Sequence, residues 1–316
     1  MTPDAALIAK AILMLKTDVD YAKDYVFPVA LSFFSALMGG ITAYYINDRQ
    51  EKIKAEREKL NSSNSLMMIS FQMINTLVAI KGNYIGLEFK NPLQRALAIN
   101  EILFNASEVN FDIGRLSFIK KIPTSNKTFL QKLSFFFKYK MLNRQLHMPS
   151  DEEIAKTWRN IARIDAFLFN YNFVLNILLV RNKLDADVRE RLSKISNARR
   201  PYLEFHLDKI NEVIGATELS KYIDLTENLV SLIDFLIKEI DSFIINFPQI
   251  AESNIELTKV NKERLSRIVL NKPAYLAALI PIVQPDFELV SLQVGMSQEE
   301  AKRRYSYSAW VMTPTY

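Results

Sequence analysis

The chain has 316 residues, no cysteine and a net charge of +5, so disulfides, thiol nucleophiles and thiolate metal sites are excluded. Its 7 glycines and 11 prolines leave long stretches with neither, which argues for helices with short connections and against a turn-rich β architecture. With 49% hydrophobic and 24% charged residues, the composition is that of a globular protein carrying one inserted apolar helix.

Residues 3–17 predict a short amphipathic helix, with Leu7, Ile8, Ala11, Ile12 and Leu15 on one side. It is too short to span a membrane and no small-residue cleavage site follows it, so an interfacial position is expected. The stretch Tyr25–Asn47 then runs without a single charge. Crossing about 30 Å of hydrocarbon takes roughly 20 apolar residues, and this run is long enough. Tyr21 and Tyr25 mark one end and Tyr44 and Tyr45 the other, at the headgroup depth that amphipathic rings prefer. Pro28 falls near the start, where its missing N–H costs least. The stretch predicts a transmembrane helix. Lys10, Lys16 and Lys23 precede it, whereas Arg49, Lys52, Lys54, Arg57 and Lys59 follow closely. The positive-inside rule therefore expects a single pass through the inner (cytoplasmic) membrane, with residues 1–24 outside and the remainder cytosolic.

Inside the span Ser32, Ala36 and Gly40 recur every four residues, and so do Ser35, Gly39 and Ala43. Such a small-residue face lets helices approach closely in lipid, which predicts a homo-oligomer. Asp48–Leu60 is rich in helix formers with Glu and Lys at pairing distance, and predicts a charged helical stalk. Asn61–Ser65 reads as a break before a helix over 66–80, with Leu66, Ile69, Met73, Leu77 and Ile80 on one stripe. That helix also lacks charge; a second crossing is its alternative reading, against Ser70, Gln72, Asn75 and Thr76.

Residues 61–295 are expected to form a cytosolic helical domain, and 296–316 a short helix with an aromatic tail. Pro92 opens a helical region to Ile122, broken near Ser107. Ser150 and Glu153 make a capping-box pattern for a long helix to about Asn182, apolar almost all round after Ala166. Asp185 is read as the cap of a following charged helix. Residues 202–214 continue helically to Gly215. Tyr222, Leu225, Leu229, Leu232, Leu236, Ile240, Phe243 and Phe247 then follow steps of three and four, a heptad seam. Pro248 is read as opening one more helix to about Leu270, 287–294 as a short strand, and Ser297 with Glu300 as the start of a last helix. The expected fold is all-α: an N-terminal single transmembrane helix followed by a multi-helix bundle.

The glycines, at 39, 40, 82, 86, 114, 215 and 295, form neither a dinucleotide fingerprint nor a phosphate loop. His147 and His206 stand apart without metal-ligand spacing, and no nucleophile elbow is present. No cofactor and no enzymatic activity are expected. One charged constellation stands out. From Ile113 to Ser150 there is no acidic residue, but there are Arg115, Lys120, Lys121, Lys127, Lys132, Lys138, Lys140 and Arg144. They interleave with Phe118, Phe129, Phe135, Phe136, Phe137 and Tyr139. Lysines neutralise phosphates and rings stack on bases or enter headgroups, so anionic lipid and nucleic acid are both open as partners. Packed phenylalanines with solvated lysines are the third reading.

The uncharged span, its small face and the run Lys132–Lys140 (KLSFFFKYK) together resemble the layout of small membrane effectors of bacterial phage-defence systems, including the retron-associated transmembrane type. The resemblance covers under a quarter of the chain. It implies a toxic membrane protein kept silent by a cytosolic protein or ribonucleoprotein, such as a reverse transcriptase with bound nucleic acid, that damages the inner membrane on release.

Overall fold

The computed structural model describes residues 2–15, 25–120, 150–195, 207–260 and 263–306, which are helical or irregular with no strand among them. They form two compact units, Met1–Ala55 and Glu56–Tyr316. The first unit holds α1 (Pro3–Leu15) and the start of α2, a single 56-residue helix over Phe27–Gly82. The second unit, the body, contains the rest of α2 and every later element. Among the described residues, two helices are long and apolar enough to cross a membrane: α2 and the α5 helix of the body, Ile161–Ile195.

The expected break at Asn61–Ser65 is absent, because α2 runs through it. Ser63 and Ser70 return their hydroxyls to the carbonyls of Lys59 and Leu66, and Asn75 returns its amide to Phe71. Polar side chains that satisfy themselves on the preceding turn do not compete with the helix backbone. Lys52 pairs with Asp48 and Lys59 with Glu56, at the spacings the sequence predicts. From Glu56 onward the helix turns a buried face to the body, through Leu60, Leu66, Met67, Met73, Ile74, Leu77 and Ile80. The stripe over 66–80 is thus a core face.

Asn91 caps α3 (Pro92–Ala98), its Oδ1 accepting from the amides of Leu93 and Gln94. The helix expected to continue to Ile122 stops there. Residues 99–112 are irregular, with a 3-10 turn at Ile113–Leu116. Asparagines of α5 explain the difference. Asn172 exchanges two 2.8 Å hydrogen bonds with the backbone of Val109, and Asn182 bonds the amide and carbonyl of Ile102 in the same way. The carboxamides act as a substitute strand edge, so the segment needs no helix to satisfy its backbone. The asparagines that interrupt an apolar helix in the sequence are what hold this segment.

The capping box forms on α4 (Asp151–Ala155), Ser150 and Glu153 each accepting the other's backbone amide. The expected long helix is nevertheless interrupted at 156–160. Arg163 of α5 donates there to the Lys156 carbonyl, and Trp158 turns inward onto Phe167 and Phe243. α5 then runs past Asp185 to Ile195 without the expected new start. The short α6 (Leu207–Ile214) leads to Gly215 at φ 91°, a left-handed region that favours glycine. α7 (Ala216–Glu252) carries the heptad residues, all buried except half-buried Leu225. Pro248 does not open a helix. It lies buried inside α7, where Phe243, Phe247 and Ala251 pack around the same stretch and offset the lost backbone bond.

No helix reaches Leu270, and residues 263–271 are irregular. After α8 (Pro273–Ala278), the stretch 287–294 forms α9 (Phe287–Val294) in place of the expected strand. Asp286 caps its N-terminus and Gly295, at φ 78°, closes its C-terminus, so both helix signals were local. α10 (Gln298–Tyr305) starts at Ser297 as the sequence predicts.

The core is centred on α2, α5 and α7. Tyr84 lies at its edge with a hydroxyl that finds no protein partner among the described residues. Burial pushes its phenol well above the usual tyrosine range. Tyr84→Phe is expected to hold or raise body stability by about 1 kcal/mol, because an unpaired buried donor is removed. Thermal unfolding followed by circular dichroism reads this, and a fall of the midpoint by several degrees would count against it.

Candidate functional site

The first candidate is the outer surface of α2. No residue in the apolar window of this helix is buried. Phe33, Phe34, Met38, Ile41, Tyr44 and Tyr45 are exposed, against a body whose apolar residues largely close into a core. Ser32 donates to the Pro28 carbonyl at 2.8 Å, so its hydroxyl is satisfied within the helix. Ser35, Ala36 and Ala43 are exposed on the same helix as Gly39 and Gly40, and a Cβ added at either glycine meets nothing within 4 Å. Phe33, Ala36, Leu37, Gly40, Ile41 and Tyr44 line a shallow apolar groove. A surface of this kind is suited to lipid on all sides and to close approach of another helix along the glycines.

The second candidate, the basic aromatic segment, is placed only at its start. Arg115 is exposed, 3.7 Å from Asp112, and lines an open polar depression with Glu58, Asn61, Ser62 and Ser65 of α2. Lys120 uses its backbone: its amide donates to Asn254 Oδ1 and its carbonyl accepts from Arg159. Phe118 packs against the core with Lys59 over its ring. Lys121, Lys127, Lys132, Lys138, Lys140 and Arg144, with Phe129, Phe135, Phe136, Phe137 and Tyr139, lie outside the described residues, as does His147.

What sequence reasoning missed is a set of buried charges in the body. Arg181, fully buried on α5, donates to the carbonyls of Ala96, Ile99 and Asn100 at the end of α3. It also reaches the Tyr222 hydroxyl on α7 at 3.1 Å and Asp185 one turn on. Asp185 binds Arg189 and accepts from Tyr222, so it serves as a buried anion in mid-helix and not as a cap. Burial, partly opposed by Arg181, pushes the Tyr222 phenol up. Arg95 of α3 pairs with Glu227 of α7 at 2.7 Å, and Lys81 at the end of α2 pairs with Asp234 of α7 at 2.6 Å. Burial pushes the Glu227 and Asp234 carboxyls up and the Lys81 ammonium down.

The signal was present in the sequence. Glu227 and Asp234 fall within the heptad stretch, Lys81 and Arg181 at the ends of uncharged runs. These pairs join α2, α3, α5 and α7 at fixed registers, which is a structural use of charge. Among the described residues no group of His, Asp or Glu is placed to hold a metal ion. No family model, curated protein or solved structure matches this chain.

Proposed function

We propose that the protein is a non-enzymatic, membrane-anchored effector that self-associates through α2 and perturbs the inner membrane when a cytosolic protein or ribonucleoprotein releases it. The observation that carries this reading is the absence of any buried residue from the uncharged stretch of α2 in a chain whose body buries its apolar residues well. Leaving that much apolar surface in water is strongly unfavourable, so lipid is its natural surrounding. The proposed topology is single-pass. α5 meets the length and hydropathy of a span, but Arg181 and Asp185 lie within it, and its Phe167, Val174 and Leu178 belong to the body's core. The cluster Arg49, Lys52, Lys54, Arg57 and Lys59 favours a cytosolic body and an external N-terminus. The resemblance to defence effectors supplies the proposed setting, antiviral defence.

Induced expression in a bacterial host tests the proposal, with membrane potential read by a dye and oligomeric state by crosslinking in native membranes. The wild type is expected to depolarise cells and to crosslink as an oligomer. Gly39→Leu with Gly40→Leu, which fills the small face, is expected to lower both severalfold. Full expression in the membrane without depolarisation would replace this reading with a constitutive tether positioning a cytosolic complex. An unchanged oligomer in the leucine variant would remove the small face from the proposal.

A further inference from the structure

Residues 279–285 cross the body between α8 and α9 as an irregular segment. Both of its ends are fixed. Tyr275 of α8 hydrogen-bonds Asn75 of α2, and the amide of Asp286 donates to the Lys90 carbonyl at 2.8 Å. Beyond α9, Arg304 and Tyr305 of α10 bind Asp224 of α7 at 2.9 and 2.6 Å. Between these anchors the segment is held mainly by charged side chains acting on its backbone. Lys81 donates to the carbonyls of Ala278 and Ile280 at 2.7 and 2.6 Å. Asp234 accepts from the Ile282 amide at 2.7 Å, and Arg95 donates to the Val283 carbonyl at 2.6 Å.

Apolar adhesion is thin. Ile280 is 67% exposed and Val283 42%, leaving buried Ile282 and Pro285, with half-buried Leu279, as the segment's apolar packing. A cavity of about 20 Å³ stays open beneath it, bounded by Arg95, Glu227, Asp234, Ile282, Val283 and Tyr305. Pro281 and Pro285 stiffen the segment and carry no amide to satisfy.

We infer that residues 279–285 form a strap that lifts as a unit while α2, α5 and α7 stay folded, uncovering the ion pairs Lys81–Asp234 and Arg95–Glu227. Lifting exchanges the backbone bonds to Lys81, Asp234 and Arg95 for bonds to water, and it hydrates charges that are desolvated when the strap is down. A strap held by leucine and phenylalanine side chains would lose apolar burial with no such return. The proline-stiffened segment between two anchored ends therefore belongs to the low-stability end of the body's local openings. This inference does not depend on the membrane reading.

The absence of cysteine makes the test clean, since one introduced thiol is the only one in the full chain. Ile282→Cys is compared with Val174→Cys, a fully buried position on α5, in detergent-purified protein exposed to a maleimide. Position 282 is expected to react about 100-fold faster than position 174. Replacing the clamp with Lys81→Met and Asp234→Leu is expected to speed position 282 by about tenfold more and leave position 174 unchanged. Hydrogen exchange of the unsubstituted chain gives a reading free of mutation: amides of 279–284 should exchange well before those of α7. Reactivity at 282 within threefold of that at 174, a clamp variant without effect on 282, or coincident exchange of strap and α7 would each overturn the strap. Where the clamp variant exposes position 174 as well, the exchange order in the unsubstituted chain decides.

Discussion

Arg181→Ala is expected to destabilise the body by about 3–5 kcal/mol, the range seen when one member of a buried charged network is removed. Arg181 is fully buried and is a joint for three elements at once: the α3 end at Ala96, Ile99 and Asn100, α5 itself, and α7 through Tyr222. Its loss takes the side-chain donor from the Asn100 carbonyl, leaves Ala96 to Tyr222 and Ile99 to Arg189, and leaves Asp185 with Arg189 as its remaining cation. Each buried acceptor left unsatisfied costs on the order of 1–3 kcal/mol. Arg181→Lys is expected to lose most of the same stability, because one ammonium cannot reproduce a planar fork that serves acceptors on different sides. Denaturant unfolding of the full chain in mild detergent, followed by circular dichroism, measures both. A loss under 1 kcal/mol for the alanine variant would show that the carbonyls find other donors.

Leu37→Arg with Ile41→Arg is expected to remove the protein from the membrane fraction. The two positions are one turn apart near the middle of the uncharged stretch, and both line the shallow groove of α2. An arginine at the centre of a spanning helix costs roughly 2.5–3.5 kcal/mol on insertion scales, so the pair opposes insertion by about 5–7 kcal/mol. In a soluble core helix the same substitutions would unfold the protein, but here the stretch is unburied and the body has its own core. The outcome to look for is a folded body in the soluble or carbonate-extractable fraction, with the melting transition of the body retained. A variant that stays carbonate-resistant would contradict the assignment of α2 as the anchor.

The helix signals that proved reliable were those resolved within a few residues. The capping box at Ser150 and Glu153, the turn at Gly215 and the start at Ser297 all act on the neighbouring backbone, and each appears where the sequence puts it. The heptad seam from Tyr222 to Phe247 was legible because a helix packed against a core repeats its apolar face whatever its partner is. Three misreadings share one cause. Asn61–Ser65, Asp185 and Pro248 are ordinary helix breakers or caps by local chemistry, but tertiary partners or back-bonding along the helix settled them otherwise. The irregular segment 99–112 depends on asparagines more than 60 residues away in sequence, an interval no local pattern spans.

The same division holds for the candidate site. An uncharged run with tyrosines at both ends and small residues every four positions is a one-dimensional property, so the sequence by itself determined the apolar stretch of α2 and its small face. An all-helical fold followed equally from sparse glycine and from helical periodicity. Only the tertiary structure decided which charges are buried. Lys81 and Asp234, or Arg95 and Glu227, are paired across more than 130 residues of chain, and the sequence places each charge without showing its partner. A charge can leave water only when a partner of opposite sign meets it, and that meeting is a property of packed helices in register, not of either helix alone.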